Sequence, residues 1–333
     1  MKLAQIFTSN LVFAVEKPIR VFGTGKGIAE IVFRGEKRRV ESDGGNWMVE
    51  FAPLSYGGPY ELTATLNGET KTLENVYVGD VYMLAGQSNL QFKLKESTTS
   101  ETEWESNEKI RLFTVDRPEK GERFQTADGW VVSEKKDVGD WSAVGYISAR
   151  EIYRKKGVAV GLIACYQGAS IIESWLPEGT CQTLGISIPV KEKYFDHWYE
   201  DYHWNKDGFL YQHSLSKVTP FSLNAVVWYQ GESDADGVES TVYGKELEAL
   251  ISVMRNDFQN QALPFVIVQL ADCDERAGEG WKNVQNAQWE MQYKVKNVKS
   301  VRSKDVCETN DIHPPTKEKL AIRVADALQE LWK

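Results

Sequence analysis

Short apolar runs alternate with helical patterns throughout residues 79–333. The runs lie at 81–85, 158–164, 225–229 and 265–270, and each is followed by a polar or glycine-containing turn. Buried strands separated by amphipathic helices are typical of a parallel sheet with crossover helices. Because ligands bind at the carboxyl ends of parallel strands, the four turns predict one shared site.

The first 78 residues follow a different pattern. Apolar and polar residues alternate with the period of a half-buried strand, at 29–34, 47–51 and 60–66. Asn67-Gly68 follows the last run and predicts a hairpin turn. We therefore predict a small antiparallel β-sandwich domain over residues 1–78 and an α/β domain with a parallel sheet over residues 79–333, with the boundary near 74–80.

One glycine-rich segment superficially resembles a phosphate loop. It is Gly-Thr-Gly-Lys-Gly at 23–27. The spacing differs from that of a phosphate loop, and no Gly-Lys-Ser/Thr follows it to open a helix. The segment is therefore predicted to be a plain turn.

The charge of the chain excludes several classes of partner. Its formal net charge is −9 at pH 7, whereas binding to nucleic acid requires a basic surface. Anionic membrane surfaces also attract basic segments, and no apolar run approaches the ~18 residues of a membrane-spanning helix. We expect neither a nucleic-acid partner nor membrane association.

The amino terminus and the cysteines predict a cytoplasmic location. Polar residues interrupt the first apolar stretch at 8–10, which argues against a signal peptide unless a leader has been removed. The four cysteines include no Cys-x-x-Cys pair, so they carry no zinc or redox signature. Their even number permits disulfides, but their low density suits a reducing compartment better.

The turn Gly86-Gln87-Ser88-Asn89 is well placed for nucleophilic chemistry. It directly follows the apolar run at 81–85. Glycine lets the backbone turn sharply and lets a substrate approach closely, and side-chain amides can donate hydrogen bonds where negative charge develops. Taken alone, the serine is better explained as a cap of the next helix than as a nucleophile. A catalytic role therefore requires a base elsewhere in the chain.

His313 is the best candidate for that base. A serine hydroxyl needs a general base because it is barely ionised at neutral pH. The histidines of the chain are His197, His203, His213 and His313. His313 precedes the last helical pattern and is followed by two stiffening prolines, and Asp311 lies two residues before it. Asp311 either holds the imidazole in the required tautomer or belongs to a solvated turn.

A dense aromatic segment at 194–204 contains two of the histidines. It is either a wall on which a sugar stacks or a flap packed over the core. A zinc site is not predicted there, because no cysteine or regular ligand spacing accompanies His197 and His203.

Three motifs in a fixed order resemble a known family. They are Gly86-Gln-Ser-Asn89, Trp228-Tyr-Gln-Gly-Glu-Ser233 and Asp311-Ile-His-Pro314, and the segment 160–175 resembles the family's second block. Together they resemble the sialate O-acetylesterase family, within the SGNH-type serine esterases, over nearly the whole chain. The resemblance implies a three-layer α/β/α domain with a parallel sheet, preceded by a small β domain.

The resemblance also implies roles for individual residues. It implies Ser88 as nucleophile, His313 as general base and Asp311 as its orienting partner. It implies an oxyanion hole formed by the amides of Ser88 and Gly168 and the side chain of Gln230, in agreement with the donors that such chemistry needs. The candidate substrate-binding residues are Gln87, Asn89, Gln167, Trp175 and Glu232.

Two positions depart from the family pattern. The related esterases usually place the acid three residues before the histidine, where this chain has Asn310. The second block often carries a Gly-Gly pair, and Gln167 replaces its first glycine. Gln167 is expected to narrow the pocket or add a donor, which would change substrate choice more than the reaction.

The combined motifs predict a serine esterase that removes O-acetyl groups from a carbohydrate without a metal or organic cofactor. The substrate is predicted to be an acetylated oligosaccharide such as xylan or mannan, or an acetylated sialic acid. The acidic chain disfavours an anionic sugar unless an arginine lies in the pocket. A non-catalytic carbohydrate-binding protein on the same fold is the alternative, and the sequence predicts no oligomeric state.

Overall fold

The structure is a computed structural model that describes residues 1–119, 129–186 and 202–331 and the backbone of 123–125. The first part of the chain forms strands. They are β1 Lys2–Leu3, β2 Val12–Ala14, β3 Ile19–Phe33, β4 Glu36–Phe51, β5 Gly57–Leu66 and β6 Glu69–Gly86.

Strands and helices alternate through the rest of the chain. In order they are α1 Ser88–Gln91, β7 Asn107–Thr114, β8 Arg117–Glu119, β9 Arg123–Gln125, β10 Trp130–Ser133, α2 Ala143–Lys156, β11 Val160–Tyr166, α3 Thr180–Thr183, α4 Phe209–His213, β12 Ala225–Tyr229, α5 Glu239–Asp257, β13 Phe265–Val268, α6 Glu279–Lys294, β14 Val298–Val301 and α7 Glu318–Leu331.

The central sheet has the strand order β10-β7-β11-β6-β12-β13-β14. Neighbouring strands are parallel except for β10, which runs antiparallel to β7. Strands β11 and β12 are buried along their whole length, which explains their continuous apolar sequences. Helix α2 packs against α7, and α5 packs against α6. The prediction of a mixed α/β fold with a mostly parallel sheet is confirmed.

Strand β6 belongs to both parts of the chain. Its first half pairs antiparallel with β5 and parallel with β2, whereas its second half pairs parallel with β11 and β12. The remaining N-terminal strands extend this ladder, since β3 pairs antiparallel with β1, β4 and β5. The expected domain boundary near 74–80 therefore falls inside one continuous strand, and the sandwich arrangement stays a prediction.

The hairpin predicted at Asn67-Gly68 is confirmed. It joins β5 to β6, and both residues have positive φ, 52° and 90°. The plain turn predicted at 23–27 is wrong, because this segment lies inside β3. Its glycines serve a β-bulge, with a register shift between Thr24 and Lys26 and a φ of 109° at Gly25.

The register of the central strands positions the site. Gly86 at the end of β6 pairs with Tyr166 of β11 on one side and with Tyr229 of β12 on the other. The three following loops therefore start side by side at the carboxyl edge of the sheet. Gly86 has a φ of 144°, and a Cβ there would lie 2.1 Å from the Tyr229 carbonyl oxygen, so glycine is required.

The described helices and the cysteines can be compared with the expectations on membrane-spanning helices and on disulfides. None of those helices combines the length and apolarity that a bilayer-crossing helix requires. All four cysteines are free thiols, and Cys165 and Cys273 are buried.

Candidate active site

Ser88 and His313 are in direct contact. Ser88 is the first residue of α1 and follows the end of β6, whereas His313 lies in the loop before α7. The Ser88 Oγ and the His313 Nε2 are 2.7 Å apart. The imidazole also stacks on the ring of Phe92, with 6.5 Å between centroids and 27° between planes. This is the hydrogen-bonded arrangement of a nucleophile and its base.

The surroundings of His313 favour its neutral form. Burial lowers the pKa of the imidazole from its usual 6.5, and the charge of Lys317 lowers it further. The carboxylates of Asp311 and Glu96 oppose this shift but do not cancel it. The imidazole is therefore neutral at pH 7, as a base that accepts the serine proton must be.

Asp311 contacts the backbone of His313. Its Oδ1 accepts a hydrogen bond from the His313 backbone N–H at 2.8 Å, and the residue is exposed. No hydrogen bond joins Asp311 to the imidazole ring in the described structure. A side chain that bonds the backbone two residues further on makes a local turn. This placement orients the loop, and it differs from the ring contact that the resemblance implies.

A pocket of about 480 Å³ surrounds the Ser88–His313 pair. The candidate residues that line it are Gln87, Gln167, Gly168 and Glu232. Gln87 and Glu232 are almost fully buried, and burial raises the pKa of the Glu232 carboxyl. Four strand-end turns were predicted to converge on one crevice. The turns after β6, β11 and β12 line this pocket, whereas residues 271–274 after β13 do not, and their loop reaches the pocket only further on, through Arg276.

Two backbone amides lie near the nucleophile, and one of them has no hydrogen-bond partner among the described residues. Ser88 begins α1, so its N–H has no partner within the helix, and no described residue accepts from it. The Gly168 N–H donates to the side-chain oxygen of Gln91 at 2.9 Å. Gln91 and Gly168 both line the pocket, so a carbonyl-type oxygen already occupies this donor.

Gln230 lies behind the pocket. It is completely buried, and its Nε2 donates to the Ser170 carbonyl oxygen at 2.8 Å and to the Asp234 carboxyl. Its Oε1 accepts from the Tyr243 hydroxyl at 3.1 Å. Both amide hydrogens are thus engaged within the protein. This differs from the oxyanion role that the resemblance implies, because no hydrogen of this amide remains for a substrate.

The two amides that flank Ser88 brace the strand ends. Asn89 is 3% exposed, and its Nδ2 donates to Glu232 Oε1 at 2.5 Å and to the Ile312 carbonyl oxygen at 2.8 Å. Gln87 accepts from the Gly231 backbone N–H at 3.2 Å while it lines the pocket. Asn89 therefore supports the site from within, and Gln87 remains the one of the two that a substrate can reach.

Trp175 packs in the core. It is 1% exposed, its Nε1 donates to the Ser170 hydroxyl at 3.0 Å, and its ring meets Trp228 edge-on at 5.9 Å. It does not line the pocket, in contrast to the expectation that it contacts substrate. The segment that follows β11 places its ring in the core.

The end of the aromatic segment reaches the pocket. Tyr202 and Trp204 both line it, and their rings meet edge-on at 5.3 Å. His203, which lies between them in the sequence, is buried. Residues 194–201, which include His197, lie outside the described residues.

Sequence reasoning missed three residues of the site. Arg276 lines the pocket and pairs with Asp236. It lies in the loop after β13, for which the sequence predicted only a polar turn at the end of a strand. Gln91 occupies the Gly168 amide as described above. Lys317 is fully buried behind His313, and a lysine beside a helix start carries no sequence signal for burial. No group of metal-ligating side chains is present in the described part of the chain.

Comparisons with known proteins show the family to which the chain belongs. A family model described as carbohydrate esterase, sialic acid-specific acetylesterase, matches residues 78–330. The human sialate O-acetylesterase is 25% identical over 323 residues, which cover 86% of this chain and 60% of that protein. The orangutan (Pongo abelii) protein of that name is 24% identical with the same coverage. The chain thus spans about three-fifths of the length of these curated relatives.

Among solved structures, a carbohydrate acetylesterase from Xanthomonas citri superposes with a TM-score of 0.85 at 24% identity. The match covers 99% of this chain and 75% of that one, and it supports the fold. Because the family model matches most of the sequence, over a range that contains all three ordered motifs, the chain belongs to the carbohydrate esterase family of the sialic acid-specific acetylesterases.

Proposed function

We propose that this protein is a serine esterase that releases acetate from an O-acetylated carbohydrate. The observation that carries the proposal is the 2.7 Å hydrogen bond between Ser88 and His313 at the carboxyl edge of the sheet. Membership of a carbohydrate esterase family supports the chemistry, and the pocket beside the pair gives the ester access to the nucleophile.

In the first half-reaction, Ser88 Oγ attacks the acetyl carbonyl carbon while His313 Nε2 accepts the hydroxyl proton. The carbonyl oxygen becomes an oxyanion, for which the backbone N–H groups of Ser88 and Gly168 are the proposed donors. The Gln91 side chain leaves Gly168 as the substrate binds. The tetrahedral intermediate then expels the sugar oxygen, which takes the proton from His313.

In the second half-reaction, water attacks the acetyl group on Ser88 while His313 accepts a proton from that water. Acetate leaves, and the Ser88 oxygen recovers its proton from the imidazole. Asp311 orients the loop through the His313 backbone, and its negative charge favours the imidazolium that forms in both steps.

The test compares Ser88→Ala with Ser216→Ala, a matched control at a half-buried serine outside the pocket. We expect Ser88→Ala to lose at least ~1000-fold in the hydrolysis of 4-nitrophenyl acetate, and the control to match the parent protein. An organophosphorus reagent should label Ser88, as located by peptide mass spectrometry. If the folded protein takes up no label and releases no acetate, the esterase assignment fails, and a non-catalytic carbohydrate-binding protein is favoured. If an active parent and Ser88→Ala release acetate equally fast, Ser88 is not the nucleophile.

Arg276 favours an acidic sugar over a neutral one. Its guanidinium lines the pocket, and its Nη2 lies 3.3 Å from the Glu232 carbonyl oxygen. A guanidinium can bind a sugar carboxylate through two hydrogen bonds, although Asp236 competes for it here. Some relatives are named sialate O-acetylesterases, which points in the same direction.

The substrate class is tested with acetylated sialic acid and acetylated xylo-oligosaccharides. For Arg276→Gln we expect KM to rise about tenfold for the acidic sugar only, which corresponds to roughly 1.4 kcal/mol of lost binding. Equal changes of KM for both substrates would show that Arg276 supports the pocket but does not bind the sugar carboxylate. A parent enzyme that acts only on the neutral oligosaccharide would exclude the acidic sugar as substrate.

We also propose that the architecture is three-layered, with a small N-terminal β-sandwich domain. The separate pairing of α2 with α7 and of α5 with α6 supports helices on both faces of the central sheet. A crystal structure would test both statements directly.

A further inference from the structure

Lys317 is a cation with no exposed surface. Its Nζ donates to Asn89 Oδ1 at 2.6 Å and lies 5.0 Å from the ring centre of Phe92 and 5.8 Å from that of Tyr229. A buried ammonium is costly unless it is hydrogen-bonded and paired, and this cost lowers the pKa of Lys317 to about 8. A lysine kept in such a place needs a reason beyond packing.

The partner of this lysine joins three loops. Asn89 is next to Ser88 in the chain, and its Nδ2 donates to the Ile312 carbonyl oxygen, next to His313. The same Nδ2 donates to Glu232 in the loop after β12. The neighbours of the nucleophile and of the base are therefore tied together by one side-chain amide.

The lysine determines which way that amide points. An asparagine side chain can be turned by 180° with little change in shape. Here an ammonium, which can only donate, faces the oxygen of Asn89. The two acceptors, on Glu232 and Ile312, face its nitrogen. Without the ammonium, the orientation of the amide rests on those two acceptors alone.

We propose that Lys317 is a positioning residue of the hydrolytic site: through Asn89 it holds the His313 loop at hydrogen-bonding distance from Ser88. The inference rests on the proposed esterase function. Lys317 touches neither the nucleophile nor the pocket, so it acts only through its neighbours.

The charge of Lys317 has a second effect on the site. It acts on His313 in the direction that favours the neutral imidazole, against the carboxylates of Asp311 and Glu96. Lys317 itself is faced by groups that favour its charge, which are Cys307, Glu232, Glu308 and Asp311. Removing the ammonium should therefore raise the pKa of His313, whereas a purely structural lysine would leave that pKa unchanged.

The test uses Lys317→Met, which keeps the length of the side chain and removes the ammonium. Lys319→Met is the control, because Lys319 is exposed one half-turn further along. With 4-nitrophenyl acetate, we expect kcat/KM of Lys317→Met to fall about 10- to 100-fold at pH 7.5, as misplaced catalytic groups do. We expect the acid limb of its pH profile to move to higher pH, because the charge that lowers the pKa of His313 is gone. The control should show neither change.

The pKa of His313 is also measured by NMR titration of histidine-labelled protein, which needs no substrate. An upward shift of the His313 pKa in Lys317→Met, with an otherwise native NMR spectrum, supports the inference even if no ester is hydrolysed. Failure of the esterase proposal can therefore be distinguished from failure of this inference. Should Lys317→Met not fold, Lys317→Arg keeps the charge and changes its position. A fall in its kcat/KM with an unmoved acid limb supports the inference. Unchanged kcat/KM and an unchanged His313 pKa in folded Lys317→Met, or unchanged kcat/KM in folded Lys317→Arg, would overturn it.

Discussion

Replacing Gln230 with methionine separates a structural role from a catalytic one. The substitution nearly preserves side-chain volume but removes three buried hydrogen bonds, to Ser170, Asp234 and Tyr243. The Tyr243 hydroxyl keeps its 3.0 Å bond to the backbone carbonyl of residue 230, so it retains a partner. The Ser170 carbonyl and the Asp234 carboxyl each lose a donor, at about 1–3 kcal/mol for each buried acceptor. We expect the free energy of unfolding to fall by about 3 kcal/mol.

The assay pairs two measurements on Gln230→Met. Urea denaturation gives the loss of stability, and kcat for 4-nitrophenyl acetate is measured well below the unfolding transition. If Gln230 only supports the site, kcat falls modestly. A lost oxyanion donor would instead lower kcat about 100- to 1000-fold. Unfolding free energy within ~0.5 kcal/mol of the parent together with such a fall in kcat would refute the structural reasoning.

Three further perturbations follow from the geometry. Gln91→Ala frees the Gly168 amide from a competing hydrogen bond of ~1 kcal/mol. We therefore expect kcat/KM for small acetyl esters to rise about fivefold, whereas a fall in kcat/KM would show that Gln91 assists substrate binding. Burial raises the pKa of Glu173 from 4.5 to about 7 in the folded protein. The folded state therefore binds this proton more tightly than the unfolded state does, and the free energy of unfolding should fall as pH rises from about 4.5 to 7. Denaturation of Glu173→Gln at several pH values should show a smaller dependence, and an identical slope would contradict this. Gly86→Ala should unfold the protein or destabilise it by ~3 kcal/mol or more, as thermal denaturation can show, because its Cβ would meet the Tyr229 carbonyl oxygen; near-parent stability would contradict the fold's register there.

The strands were predictable where burial leaves a simple signature. The run at 225–229 coincides with β12, and the runs at 81–85 and 158–164 lie within or overlap β6 and β11. Both faces of such strands are covered, so nearly every residue is apolar. The segment 23–27 was misjudged because glycines in a bulge resemble glycines in a turn, and only the pairing of β3 with β4 distinguishes them.

The pairing of Ser88 with His313 was also predictable, since a strand-end serine and a histidine beside the last helix are what this chemistry requires. The roles of their neighbours were not. Gln230 and Trp175 carry polar or aromatic groups suited to a substrate, but both side chains point into the interior. Direction relative to the pocket depends on loop geometry, which residue type does not encode.

The sequence by itself determined the class of this protein. Alternating strands and helices, ordered polar turns and a serine with a distant histidine specify a parallel sheet with a serine–histidine pair at its carboxyl edge. Only the tertiary structure decided which side chains face the pocket and which hold it in place. Arg276 entered the pocket, whereas Lys317 was buried behind His313, although both are basic residues in polar loops. The physical reason is that burial and hydrogen-bond partners are set by contacts between segments far apart in the chain.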